Sequence, residues 1–286
     1  MIEERFEQLP NASLVKAIWP RKPGIKAGQS IPRISMRLDG LQPAKVDAYR
    51  AICGFPDGPH LPLPFPQVAA APLHIALFTH SAFPLSAMGL VHVSSEITQH
   101  RPIAVDAAMD VHCWVEGHRP ARRGVEVDLM TEVSVGGELA WLSTTTVLSM
   151  AGEGDGIKRP PVEIPDMASD RSVVWSLPTD LGRRYGRVAG DRNPIHMYPW
   201  TAKLFGFKRH IIHGMWLLAR AVSEIDAHSS SGVQLRCQFK RPVFLPGSPV
   251  FMSGEHDGGA SFVVRRADNE KPHLVGWLGP HSGKVL

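Results

Sequence analysis

The sequence is poor in the features that cross-link a chain or anchor it in a membrane. It has only 3 cysteines among 286 residues, and Cys53, Cys113 and Cys237 lie far apart, which excludes a disulfide framework and a paired-cysteine metal motif. No apolar run approaches the roughly 20 residues that cross a bilayer. The first ten residues also lack the apolar core of a signal peptide. We therefore expect a cytoplasmic protein with no membrane association.

The excess of basic over acidic residues is small. Lys and Arg number 31 against 27 for Asp and Glu, a net charge of +4, and no long Lys/Arg tract is present. Nucleic-acid-binding proteins concentrate their basic residues in one patch, so we expect no nucleic-acid partner. The small excess fits a phosphate-bearing ligand, an acidic carrier protein, or no charged partner at all.

A segment rich in Gly, Pro and charged residues divides the chain. Residues 151–170 show no apolar periodicity, and their composition is typical of a linker. We therefore predict an N-terminal unit at 1–150, a linker at 151–170 and a C-terminal unit at 171–286.

Both units show the same order of elements. Apolar stretches at 68–78 and 211–225 predict one buried helix in each unit. Alternating residues predict the strands that follow, over 89–98, 103–116, 125–135 and 139–150 in the first unit and 233–240, 248–255, 261–267 and 273–278 in the second. Gly136-Gly137 and Gly258-Gly259 mark hairpin turns. The pattern predicts an α+β protein in which an antiparallel sheet wraps around a central helix, twice.

Candidate catalytic residues concentrate between residues 185 and 215. Turn-forming Gly190, Asn193 and Pro194 predict a tight loop that carries Asp191 and His196. A turn between these two can bring a carboxylate and an imidazole to one water molecule, where one group takes a proton and the other gives one elsewhere.

A second feature of this stretch is the pair His213-Gly214, at the start of the predicted helix. A helix start offers unpaired amide groups and a positive dipole end, and glycine permits close approach of a ligand. A thioester carbonyl bound there would have its developing enolate stabilised. His213 could instead cap the helix or pack against it.

The segment resembles the MaoC-like family of (R)-specific enoyl hydratases and 3-hydroxyacyl dehydratases. The signature Gly-Asp-x-Asn-Pro-hydrophobic-His stands here at residues 190–196. Tyr185, Ala202 and the later His213-Gly214 also match. The resemblance implies two hotdog units in one chain and no cofactor. It further implies that Asp191 and His196 hold the catalytic water.

The same resemblance assigns supporting roles. Asn193 would order the loop, and the Gly214 amide would bind the thioester carbonyl. The first unit has no Asp/His loop and only LPLPFP at 61–66 before its helix. This resembles enzymes in which one unit lost its catalytic loop and houses the acyl chain. The substrate would be an enoyl or 3-hydroxyacyl thioester of CoA or an acyl carrier protein in fatty acid metabolism, with one site in a monomer of paired hotdogs or in a homodimer.

Several alternatives stay open at this stage. A hotdog thioesterase or a non-catalytic acyl-binding subunit are rival functions. The pairs Lys208-Arg209 and Lys240-Arg241 could bind phosphates or lie solvated at the surface. The spacing of His210 and His213 could suggest a metal, but no ligand set is completed nearby, so no metal is expected. Aromatic and apolar side chains of the first unit could line an acyl tunnel or fill the core: Phe78, Phe83, Met88 and Trp114.

Overall fold

One mixed sheet with two central helices forms the protein in a computed structural model, which describes residues 2–10, 22–25, 28–152, 154–157, 170–225, 232–268 and 271–281. The described elements of the first half are β1 (Ile2–Phe6), β2 (Ile34–Leu41), α1 (Val46–Cys53), α2 (Phe65–Ala69), α3 (Ala71–Thr79), β3 (Leu90–Gln99), β4 (Met109–Pro120), β5 (Val125–Val135) and β6 (Glu138–Ser149). Those of the second half are β7 (Arg171–Val174), α4 (Leu181–Ala189), α5 (Pro194–Met197), α6 (Pro199–Leu204), α7 (Gly214–Ser223), β8 (Val233–Phe239), β9 (Val250–His256), β10 (Gly259–Arg265) and β11 (Pro272–Pro280).

The strand order of the first half is mirrored in the second. The sheet runs β1-β2-β4-β5-β6-β3-β8-β11-β10-β9-β7. The order β2-β4-β5-β6-β3 therefore reappears as β7-β9-β10-β11-β8, and β3 pairs antiparallel with β8 at the junction. Only β1 lacks a described counterpart, and it runs parallel to β2 at the sheet edge. The prediction of two hotdog units with joined sheets is confirmed.

Two helices occupy equivalent places before β3 and β8. Helix α3 buries Leu73, His74 and Leu77, and α7 is buried along most of its length. The predicted helix at 68–78 is broken into α2 and α3 at Ala70, because Pro72 lacks the amide hydrogen that a continuous helix would use. Among the described residues, no helix is long and apolar enough to cross a membrane.

The strand predictions hold with local corrections. The turn Gly136-Gly137 joins β5 to β6, and both residues have positive φ, 61° and 81°. The second hairpin turn is Asp257-Gly258, one residue earlier than predicted. Strand β4 begins at Met109 rather than 103, because the amide of Leu61 binds the carbonyl of Ile103 at 2.8 Å and holds this segment away from the sheet.

The two halves differ in the loop that follows their first helix. Gly54 caps the end of α1 and Gly190 caps the end of α4, both with a left-handed backbone. In the first half, the chain then runs directly to Leu61, whose amide binds the carbonyl of Ile103. In the second half, residues 191–211 intervene before the amide of Ile212 makes the equivalent bond to the carbonyl of Val243, at 3.0 Å. The extra chain carries Asp191 and His196.

This mirrored arrangement supports the predicted division of the chain, which we retain as a proposal. The N-terminal unit would span 1–150 and the C-terminal unit 171–286. Most of the predicted linker at 151–170 lies outside the described residues.

Candidate active site

The loop after α4 is built by short-range hydrogen bonds. Asp191 Oδ1 accepts a hydrogen bond from the amide of Asn193 at 3.0 Å. Asn193 Oδ1 in turn accepts one from the amide of Ile195 at 3.3 Å and so caps α5, with Pro194 as its first residue. Asn and Asp favour such turns because their side chains can bind nearby backbone amides. These bonds hold residues 191–195 in consecutive turns, and the loop-ordering role that the family resemblance implies for Asn193 stays a prediction.

Two glycines let α4 lie directly against this loop. A Cβ added to Gly182 would come within 2.3 Å of the His196 carbonyl oxygen, and one added to Gly186 within 2.6 Å of the Asp191 carbonyl oxygen. Real Cβ atoms do not approach backbone so closely. The positions of Asp191 and His196 thus depend on the absence of side chains at these two places on α4.

His213 joins the loop to the start of α7. Its Nε2–H donates to the main-chain carbonyl of Asp191 at 3.0 Å, and Nε2 lies 3.8 Å from Asp191 Oδ2. Its ring stacks on that of His196, with centroids 3.7 Å apart. The structure therefore brings together Asp191, His196 and His213, and side-chain donor atoms of the three lie within 4.8 Å of one another.

The tautomer of His196 follows from its partner. Nδ1 lies 2.8 Å from the carbonyl oxygen of Ile211. A carbonyl oxygen only accepts hydrogen bonds, so Nδ1 carries the proton and Nε2 keeps its lone pair in the neutral ring. Burial lowers the pKa of His196 despite the nearby Asp191 carboxylate. The neutral form, with a basic Nε2, is therefore favoured.

The ionisation of Asp191 is set by opposing effects. Burial raises its pKa, but His213, His196 and the Asn193 amide lower it more, so that the pKa lies below its usual value. Its side chain keeps 43% of its surface exposed, whereas His196 and His213 are buried. Burial and the neighbouring His196 lower the pKa of His213 to about 3. The site at neutral pH thus holds one carboxylate that a ligand can reach, beside two stacked neutral imidazoles.

The start of α7 lies beside this group. Gly214 is the first residue of α7, and His213 precedes it in an extended conformation without a side-chain cap. The first amides of a helix have no partner within the helix. A Cβ at Gly214 would lie 3.1 Å from the Phe239 ring, so only glycine fits without displacing that ring.

The predicted phosphate-binding residues come from neighbouring loops. The bond from the Ile212 amide to Val243 joins the segment after Lys208-Arg209 to the segment after Lys240-Arg241. Lys208 and Arg209 are exposed. Lys240 Nζ donates to Gln238 Oε1, and Arg241 donates to the carbonyl of Pro272 at 3.4 Å. A phosphate role stays a prediction for both pairs, and in the second pair both side chains already donate to other groups of the protein.

Helix α1 supports the site from the first half, a contribution that sequence reasoning missed. Lys45 Nζ donates to the carbonyl of Arg187 near the end of α4, at 2.8 Å. Trp216 Nε1 on α7 donates to the carbonyl of Ile52 at 2.8 Å. These bonds link residues 142 and 164 positions apart, and no local pattern in the sequence could indicate them.

The same three side chains are candidate metal ligands, since a carboxylate and two imidazoles can bind a divalent ion. The sequence did not indicate that Asp191 and His196 complete such a set with His213. His213 Nε2 and His196 Nδ1 donate to main-chain carbonyls, which leaves the other nitrogen of each ring for a ligand. His210, suggested by its spacing from His213, is not part of the group, and its Nε2 binds the carbonyl of Thr179 at 2.7 Å.

Comparison with known proteins defines the class. Residues 160–272 match the family described as MaoC like domain. The 3-hydroxyacyl-thioester dehydratase X of Mycobacterium tuberculosis is 37% identical over 270 residues, which cover 92% of this chain and 95% of that protein. The chain therefore belongs to the MaoC-like dehydratase family.

The structural relatives agree with this assignment. The crystal structure of HtdX of Mycobacterium tuberculosis matches with a TM-score of 0.74 and 36% identity, covering 87% of this chain and 100% of that chain. A 12:0-ACP thioesterase from Umbellularia californica matches with a TM-score of 0.54 and 11% identity, covering 86% of this chain and 96% of that one. The second likeness concerns the fold alone.

Proposed function

We propose that the protein catalyses the reversible hydration of a trans-2-enoyl thioester to an (R)-3-hydroxyacyl thioester. The observation that carries the proposal is the placement of the Asp191 carboxylate and the His196 imidazole together, beside the start of α7. Its relationship to a 3-hydroxyacyl-thioester dehydratase over almost the whole chain supports the same chemistry.

One water molecule would bind between Asp191 and His196. Their side-chain donor atoms lie within 4.8 Å of each other, and hydrogen bonds of about 2.8 Å to each can span that gap. An ionised Asp191 and a neutral His196 both accept hydrogen bonds, so the two hydrogens of water would point at them. A lone pair of the water oxygen is then free to attack the β carbon of the substrate.

The proton balance needs no cofactor. The water oxygen bonds to the β carbon while the electron pair of the double bond moves to the α carbon and the thioester carbonyl. One water proton passes to the Asp191–His196 pair and is returned to the α carbon. Dehydration is the same sequence reversed. Either member of the pair could take the proton, since both are basic at neutral pH.

The helix start would stabilise the enolate. When charge develops on the thioester oxygen, the amide of Gly214 can donate a hydrogen bond to it, and the positive end of α7 stabilises it electrostatically. The charge exists only along the reaction, so this interaction lowers the barrier rather than merely strengthening binding.

We propose one such site in each chain. In the first half, the mirrored position after α1 holds Gly54 and the buried Phe55 instead of an Asp/His loop. Proline and leucine, Pro62 and Leu63, follow Leu61 in place of His213-Gly214. In this proposal the first half supplies support from α1 and a wall for the acyl chain.

A turnover screen tests this function against its main rival. Enoyl-CoA substrates of increasing length are incubated with the enzyme, loss of the conjugated double bond is followed, and the product is resolved on a chiral column. We expect the (R)-3-hydroxyacyl thioester with no free thiol. Release of free thiol would identify a thioesterase, and binding without turnover would identify a non-catalytic acyl-binding subunit.

A further inference from the structure

An exposed apolar surface lies next to the catalytic loop. Four large apolar side chains around α6, here named the α6 patch, expose 44%, 65%, 76% and 41% of their surface: Tyr198, Trp200, Leu204 and Phe205. Trp200 and Leu204 are four positions apart on α6 and so share one face. The rings of Tyr198 and Trp200 stack, with centroids 6.2 Å apart. A cluster of exposed apolar residues of this kind marks an interaction site.

The chain around the patch is strongly basic. Between residues 181 and 210, one acidic residue, Asp191, stands against seven basic ones: Arg183, Arg184, Arg187, Arg192, Lys203, Lys208 and Arg209. All except Arg183 are exposed. The guanidinium of Arg183 lies over the Tyr198 ring, 4.7 Å from its centroid. Apolar and cationic groups are therefore interleaved on one segment, although the whole chain carries only a net charge of +4.

The patch is bonded to the candidate active site. Thr201 on α6 donates its hydroxyl to the carbonyl of Pro194 at 2.6 Å, and the amide of Tyr198 donates to the Thr201 hydroxyl at 3.1 Å. Pro194 lies between Asp191 and His196 in the loop. A partner seated on α6 would thus lie beside the catalytic loop.

We propose that the α6 patch docks the acidic acyl carrier protein that delivers the thioester, an inference that rests on the proposed function. An acidic protein complements the basic rim and is steered toward it, while exposed aromatic residues supply contact area of the kind that dominates binding energy. A second copy of this chain would place the same basic segment against itself and be repelled. Helix α6 has only 6 residues, which is short for an amphipathic helix lying on a lipid surface.

The test compares one enoyl group on two carriers. kcat/KM is measured with the enoyl-carrier protein and with the enoyl-CoA for wild type and for Trp200→Ser, Leu204→Ser and Lys203→Glu. We expect kcat/KM of each variant to fall at least tenfold with the enoyl-carrier protein and less than twofold with the enoyl-CoA. Rising ionic strength should lower the carrier-protein value more steeply than the CoA value, because more charge pairs are screened. Matched controls are Val174→Ser, 67% exposed on β7, and Arg122→Glu at the exposed turn before β5, which should change neither value.

Four results would overturn the docking proposal. The first is an equal loss of kcat/KM with the carrier protein and with CoA, and the second is unchanged carrier-protein kinetics in all three variants. The third is a wild-type enzyme that does not turn over the carrier-bound substrate. The fourth is a lower mass by light scattering for Leu204→Ser than for wild type, which would show a contact between copies of this chain. Binding to anionic phospholipid vesicles together with unchanged carrier-protein kinetics would identify a lipid surface instead. A wild type that turns over neither thioester would refute the proposed function itself.

Discussion

The imidazole of His213 donates its Nε2–H to the main-chain carbonyl of Asp191 across 22 residues of chain, at 3.0 Å. Its ring also lies flat against His196, with 3.7 Å between centroids. One side chain at the start of α7 therefore fixes both members of the proposed catalytic pair. Its pKa of about 3 keeps it neutral, so that it acts here as a positioning residue.

Removing either member of the pair should remove most of the activity. Asp191→Asn and His196→Gln keep size and some hydrogen bonding but lose proton transfer, which is worth about 10²–10⁴-fold. We expect each to lose at least 10²-fold in turnover of a short enoyl-CoA, with little change in ligand affinity or melting temperature. The double variant should lose far less than the product of the two, because the residues act on one water. Folded single variants that retain more than about a tenth of the wild-type rate would contradict the assignment.

His213 should affect the rate constant more than substrate binding. We expect His213→Leu to lower kcat on the order of 10²-fold, since a misplacement of about 1 Å can cost that much, and to leave KM nearly unchanged. His213→Gln carries an amide that can still donate to Asp191 and should recover part of the loss. Steady-state kinetics with thermal melting measures both effects. An equal loss in the two variants, with both folded, would argue against positioning through this bond.

The glycines of α4 offer a test of the loop position that leaves the catalytic side chains intact. Gly182→Ala and Gly186→Ala place a methyl group 2.3 Å and 2.6 Å from the carbonyls of His196 and Asp191, respectively. We expect activity to fall more than tenfold in each as the loop is displaced. The matched control is Gly89→Ala, where an added Cβ meets nothing within 4 Å. Wild-type activity in folded Gly186→Ala would show that the loop tolerates displacement.

The acid limb of the pH profile should report His196. The proposed working form has this ring neutral, and burial holds its pKa below 6.5. We therefore expect kcat/KM to be flat from pH 6.5 to 8 and to fall only below 6.5, as Nε2 takes up a proton and can no longer accept one from water. The residual activity of His196→Gln should lack this limb. A wild-type inflection above pH 6.5 would contradict the neutral assignment.

Buried histidines of the first half should make folding stability sensitive to acid. Burial lowers the pKa of His74 to about 3 and that of His92 to about 4, whereas an unfolded histidine titrates near 6.5. Below pH 6.5 the unfolded chain therefore binds more protons than the folded chain. The contribution of these neutral histidines to the free energy of unfolding is complete above pH 6.5 and is lost as the pH falls toward 4. The loss is up to about 1.4 kcal/mol per pH unit for each proton. Urea unfolding measures the free energy of unfolding at pH 7 and at pH 5. Its decrease between the two pH values should be smaller for His92→Gln than for wild type or for His60→Gln, an exposed control. Identical decreases in all three would exclude His92 as a source.

Local patterns were sufficient where an element is defined by its own residues. Strand β5 alternates buried and half-buried positions and spans 125–135 as predicted, and α7 falls within the predicted apolar stretch. The Asp191–His196 loop could be identified because its turn formers are contiguous in the chain. Short or irregular elements were missed. Strand β7 has 4 residues at a sheet edge, and β2 buries its first three residues consecutively rather than in alternation.

Contacts between distant segments lay beyond local patterns. The sequence marked His213 as a residue at a helix start that also matches the family pattern. Its bond to Asp191 depends on how the loop after α4 folds over α7. The support from Lys45 and Ile52 depends on α1 packing across the junction between the halves. Such relationships are set by tertiary packing, which a single sequence does not encode as a periodicity.

The pairing of β3 with β8 means that neither half can be separated from the other without exposing a sheet edge. Strand β8 forms its ladder with β3 from Ser94↔Gln238 to Gln99↔Val233. A half-chain holding the catalytic loop would present this row of donors and acceptors as an open edge, which invites association with other strands. Two such halves could pair through this edge and would then carry two loops, whereas the described part of the whole chain carries one. Under the proposed function, a pair of identical halves would therefore hold two sites, and the natural arrangement holds one.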